Sequence, residues 1–125
     1  MRVLIADERP SVRAALRAVL EHDSACEGID EVVEVDDAMS ALAFGADLLL
    51  VEWGSSRPLI RLPARAKVMH PGLIVVALGR HGGAAEQALA AGADYYIDTT
   101  EPPANFIDLL HEICPEARSA ARQEF

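Results

Sequence analysis

Apolar residues in this chain fall in short runs separated by stretches with helical spacing. Asp47-Leu48-Leu49-Leu50-Val51-Glu52 sets four consecutive apolar residues between acids, the pattern of a strand buried on both faces of a parallel sheet. Arg2-Val3-Leu4-Ile5-Ala6 and Leu73-Ile74-Val75-Val76-Ala77-Leu78 read the same way, with Glu31-Val32-Val33-Glu34-Val35 and Tyr95-Tyr96-Ile97 as shorter strands. Between them, Ser11–Leu20 puts Val12, Leu16, Val19 and Leu20 on one helical face and Arg13 and Arg17 on another, with Pro10 and Ser11 opening the helix. Ala38–Phe44 is a second helix, capped by Asp36 or Asp37 and stopped by Gly45. Ser55, Ser56 and Pro58 mark a loop. Leu59, Ile60 and Leu62 give the core face of a third helix, in which Pro63 predicts a kink or a late start. An Ala-rich helix, Ala84–Ala91, stops at Gly92, and a last helix after Pro102-Pro103 carries Phe106, Ile107, Leu110 and Ile113.

Five strands alternating with five helices in about 115 residues predict an α/β fold with a doubly wound parallel sheet. The flavodoxin-like order 2-1-3-4-5, with helices on both faces, places the first and third strands side by side at the topological switch point. Residues 1–114 form this unit, and 115–125 a tail or an extra helical turn.

Composition narrows the functional classes. A net charge of −9 argues against a nucleic-acid surface. No apolar run is long enough to cross a membrane, and the opening meets Asp7 too early for a signal peptide, so a cytoplasmic protein is expected. Cys26 and Cys114 have no metal spacing, and His22, His70, His81 and His111 are scattered without a nucleophile partner. Gly79-Arg80-His81-Gly82-Gly83 lacks the phosphate-loop Lys and the dinucleotide spacing, so it reads as a loop. No catalytic set is present, and the chain is not expected to be an enzyme.

The candidate chemistry lies at the carboxyl edge of the sheet, where such folds bind ligands. The first strand delivers Asp7 and Glu8 there, and the third delivers Glu52. Converging carboxylates need a cation, a basic side chain or raised pKa values. Hard oxygen ligands suit Mg²⁺. Arg57 and Arg80, in loops on that edge, are the expected charge partners, whereas Lys67, the lone lysine, precedes the fourth strand and belongs to the opposite rim. Acids at a strand end also simply favour the start of the following helix.

The residues from Val3 to Arg13, the Asp47–Glu52 strand, and Ala90-Ala91-Gly92-Ala93-Asp94-Tyr95-Tyr96-Ile97 together resemble the receiver domain of bacterial two-component response regulators over residues 2 to about 113. The opening and the Gly-Ala-Asp segment are closest to receivers that precede helix-turn-helix output domains. The resemblance implies that Asp7 and Glu8 help bind Mg²⁺ and that Glu52 stands where the family carries its phosphorylated Asp. It also aligns Ala77 with the switch Thr or Ser, Thr99 with the Lys after the fifth strand, and Tyr96 with the aromatic whose rotation accompanies switching.

Each replacement has a physical consequence. One added methylene moves the Glu52 oxygen away from in-line attack on phosphorus. Thr99 cannot supply the charge that pairs with phosphoryl oxygens, and Ala77 cannot donate the hydrogen bond that couples phosphorylation to loop rearrangement. The sequence therefore reads as an atypical (pseudo-) receiver, a phosphorylation-independent interaction module in two-component-type signalling. In it Glu52 either mimics the phosphorylated state or marks a site no longer used. Tyr96 either stays inward over the space left by Ala77 or serves plain half-buried packing. Implied partners are proteins: a sensor kinase, an output domain or another regulator, with a homodimer through the last helices. The surface formed by the last two helices and the fifth strand would present Glu86, Gln87, Tyr95, Asp108 and Glu112 to them. Two alternatives stay open: a working Mg²⁺-dependent phosphoacceptor in a phosphorelay, and a small-ligand or phosphate-binding flavodoxin-like protein.

Overall fold

A computed structural model of the chain describes residues 1–22, 26–54 and 59–113. The strands are β1 (Arg2–Ala6), β2 (Gly28–Val32), β3 (Leu48–Glu52), β4 (Ile74–Gly79) and β5 (Tyr95–Asp98). All pair in parallel in the order β2-β1-β3-β4-β5, the order read from the sequence. The helices are α1 (Pro10–Glu21), α2 (Val35–Ala43), α3 (Leu62–Met69), α4 (Ala85–Ala90) and α5 (Pro103–Ile113). Two 3₁₀ turns, Leu59–Arg61 and Gly82–Ala84, lead into α3 and α4.

Alternate residues of the central strands divide the core in two. Leu4, Leu49, Val51 and Val75 face α2, α3 and α4, meeting Leu42, Leu62, Ala66 and Ala88. Val3, Ile5, Leu48, Leu50 and Val76 face α1 and α5, meeting Leu16, Leu20, Phe106 and Leu110. Every residue of β3 is buried, as its unbroken apolar run requires.

Several boundaries differ from the sequence reading. β2 begins at Gly28, because Gly28 and Ile29 pair with Arg2 and Val3, and it ends before Val33, which is exposed. Val35 then opens α2 and packs on the core, so Asp36 and Asp37 lie in its first turn and do not cap it. Pro63 sits at the start of α3, where a missing N–H costs nothing, so the helix starts late. On α5, Leu109 takes the core position expected of Ile107, which is 38% exposed. Gly92 ends α4 as expected. Its φ of +113° suits glycine alone, and a Cβ there would come within 3.1 Å of the Ala64 backbone. Arg57, Cys114 and the 115–125 tail lie outside the described residues.

Candidate functional site

Asp7 directly follows β1 and Glu52 closes β3, so the pairing of Ala6 with Val51 brings both acids to one point on the carboxyl edge. Both are 0% exposed. Buried carboxylates require a positive or hydrogen-bonding partner, and Arg9 supplies it. Its Nε donates to one Asp7 oxygen at 3.0 Å and its Nη2 to the other at 2.9 Å, a bidentate fork. The same Nε stands 3.6 Å from Glu52 Oε1.

Local chain chemistry puts the guanidinium there. The Arg9 backbone N–H donates to the Asp7 carboxylate at 2.8 Å, an Asx turn that folds the chain back over the acid. Pro10 then starts α1 with its φ already set. Arg13 Nη1 donates to the Asp7 carbonyl at 2.7 Å, while its Nε pairs with Glu31 at 3.2 Å. Glu52 Oε2 accepts the Glu8 backbone N–H at 3.1 Å.

Asp7 and Glu52 thus share the Arg9 charge, and the consequence falls on Glu52. Burial pushes its carboxyl above the ordinary range; the charges of Asp7 and Glu8 push the same way, against the Glu8 N–H and Arg9. The hydrogen bond to Asp7 in turn raises the Arg9 pKa, against the opposing effect of burial.

The remaining sequence-predicted residues divide between this point and elsewhere. Glu8 brings its backbone to Glu52, but its side chain is exposed at the rim. A cleft of about 400 Å³ opens over the acids, lined by Glu8, Arg9, Glu52, Trp53, Arg80 and Tyr96. Arg80 is exposed there, and among the described residues it forms no ion pair with Asp7 or Glu52. Ala77 is wholly buried and pairs in register with Tyr96. Tyr96 is half-buried against the same core cluster as Ala77, and its hydroxyl donates to the His81 carbonyl. Gly79 makes room for that ring, since a Cβ there would overlap the phenol. Thr99 is not brought to the acids. Its hydroxyl donates to the Gly79 carbonyl at 3.1 Å, and it lines a separate cleft between α1 and the start of α5.

The residue that sequence reasoning missed is Arg9. Its signal was an Arg two positions after an Asp and immediately before the Pro that opens a helix, the spacing of an Asx turn. As they stand, Asp7, Glu8 and Glu52 do not fit Mg²⁺. Arg9 holds both Asp7 oxygens and the Glu8 N–H holds one from Glu52; among the described residues no three carboxylate, imidazole or thiol groups form a metal-holding set. No described helix is long and apolar enough to cross a membrane.

No protein-family model matches the chain, and no curated protein matches it by sequence. Solved structures do. NtrX from Brucella abortus is similar with a TM-score of 0.78 and 20% identity over 98% of this chain, which spans 28% of that longer one. The separate NtrX receiver domain gives a TM-score of 0.77 at 21% identity, covering 89% of this chain and 96% of that one. A two-component response regulator of the LuxR family from Aurantimonas sp. SI85-9A1 gives a TM-score of 0.80 at 19% identity, covering 90% and 83%. At such identities the likeness is one of fold, and the fold is that of response-regulator receiver domains.

Proposed function

We propose that this receiver-fold domain is a signalling module read by protein partners and not switched by phosphoryl transfer. The observation that carries the reading is the state of Glu52. It is 0% exposed, one carboxylate oxygen accepts the Glu8 N–H, and the other faces Arg9. A nucleophile must approach phosphorus along a defined line with a cation organising the phosphoryl oxygens, and a carboxylate so engaged offers neither. The surroundings agree: Ala77 brings no hydroxyl, and the Thr99 hydroxyl is occupied at Gly79.

The partner surface in this reading is the face of α4, β5 and α5. Glu86, Gln87, Tyr95, Asp108 and Glu112 are exposed there, together with the apolar Leu89 and Ile107. Apolar side chains within a polar field suit a protein partner: a kinase, an output domain or another regulator.

The test is incubation with acetyl phosphate and Mg²⁺, read by intact-protein mass. No added phosphoryl mass is expected. A phosphoryl group mapped to Glu52 would sink the reading and restore the phosphorelay alternative.

A further inference from the structure

We propose that the Arg9 guanidinium is the pocket's own cation, standing where a divalent ion would bind and keeping such ions from acting on this domain. The proposal deepens the functional reading above and rests on it at the same site.

Two wholly buried carboxylates at a sheet edge need positive charge close by, from an ion or from the chain. The chain supplies it in the form least easily displaced. Arg stays protonated at any working pH, and its planar fork matches a carboxylate in a way a point charge cannot. Both Asp7 oxygens are taken, at 3.0 and 2.9 Å, and the same group lies 3.6 Å from Glu52. The backbone fixes its origin through the bond from the Arg9 N–H to Asp7 at 2.8 Å and through Pro10 at the start of α1. Arg13 secures the Asp7 carbonyl behind it.

A hard divalent ion entering this point would have to strip the fork from Asp7 and shed part of its own water. It would then stand beside a displaced guanidinium of like charge. Arg80 cannot play the same role from its exposed place on the cleft wall. Removal of the Arg9 side chain frees the Asp7 carboxylate from the fork and takes that charge away from Glu52. The variant pocket, not the native one, is then the divalent site.

The test is a Mg²⁺ titration of the unaltered chain, Arg9→Ala, Arg9→Gln and Arg80→Ala, followed by Trp53 fluorescence and thermal unfolding. Trp53 lines the cleft and directly follows Glu52. The unaltered chain and Arg80→Ala should stay silent at millimolar Mg²⁺. Both Arg9 variants should show a saturable response, with apparent affinity raised about tenfold or more. Arg9→Gln keeps most of the side-chain volume and carries the comparison if Arg9→Ala does not fold; Mg²⁺-dependent folding of either variant counts as the expected response. The proposal is overturned if the unaltered chain responds as the variants do, if folded Arg9 variants stay silent, if Arg80→Ala opens the response, or if neither Arg9 variant folds even with Mg²⁺. A Mg²⁺ response of the unaltered chain without phosphoryl transfer overturns this assignment alone. Phosphoryl transfer to Glu52 overturns the functional reading itself.

Discussion

Opposite edges of the sheet are closed by the same chemistry with opposite consequences. At the carboxyl edge, Asp7 accepts a backbone N–H and a cationic side chain, Arg9. At the amino edge, Asp94 accepts the Val75 N–H at 2.8 Å and Lys67 Nζ at 3.0 Å. The difference is water. The Asp7 carboxylate is wholly buried, whereas the Lys67 and Asp94 side chains are 30% and 33% exposed. Stoichiometry differs as well, because Glu52 joins Asp7 in facing Arg9 while Lys67 serves one carboxylate and the Leu73 carbonyl. Desolvation turns the first pair into a committed site and leaves the second a fastener between α3, β4 and the start of β5. Substitutions at the two edges test that contrast.

The largest effect should come from Arg9→Ala. It removes a charge facing two buried carboxylates, and losing one side of a buried pair costs about 3 kcal/mol, far more than the pair itself contributes. Urea denaturation at neutral pH measures it. The loss should shrink on acidification, because Glu52, whose carboxyl burial already raises, takes up a proton there and the cost of burying its charge disappears. A loss under about 1 kcal/mol would place this edge in the same class as the exposed one.

Glu52→Gln should act more gently and in the opposite direction. The native Glu52 carboxyl is raised, chiefly by burial. A group whose folded pKa lies above its unfolded value contributes stability below the unfolded pKa and loses it as pH rises through the folded one. The native chain should therefore lose stability relative to Glu52→Gln between mildly acid and neutral pH. The variant should be ahead by about 1 kcal/mol at neutrality and level with the native chain in acid. Asp94→Asn, at the water-exposed edge, should show no such gain. Denaturation midpoints across pH compare the two, and equal profiles would remove desolvation as the cause of the contrast.

What was legible in the sequence follows the same division. The sheet order, the buried third strand and the burial of Leu16, Leu20 and Leu110 are written in local periodicity, which packing on two faces enforces. The meeting of Asp7 with Glu52 followed from topology alone. The identity of their cation did not, because Arg9 lies inside the acidic motif itself and not in the loops that reach the carboxyl edge. A guanidinium reaches back along the chain only once the Asx turn and Pro10 have set its direction, and hydropathy carries no trace of that. The β2–α2 boundary failed for a related reason. Val33 and Val35 look alike in sequence, but one faces solvent and the other begins a helix on the core. Lys67 was placed on the correct rim, yet its bond to Asp94 was not foreseen, since residues 27 positions apart meet only through α3 and β5.

That bond gives the smallest expected effect. Lys67→Met keeps the aliphatic stem along α3 and removes the ammonium, so it tests the ion pair with little change in packing. Asp94 retains the Val75 N–H and, with a third of its side chain in water, stays solvated once the charge across from it is gone. The Leu73 carbonyl loses one donor at a partly buried position, where water can replace it. Exposed pairs are worth a few tenths of a kcal/mol to about 1, and Lys67→Met should cost about 0.5 kcal/mol, falling further with added salt. The Arg9→Ala loss, set by desolvation, should hardly respond to salt. If the Lys67→Met cost matched that of Arg9→Ala and resisted salt equally, burial would not be what separates the two edges, and the carboxyl-edge pair would be one more fastener.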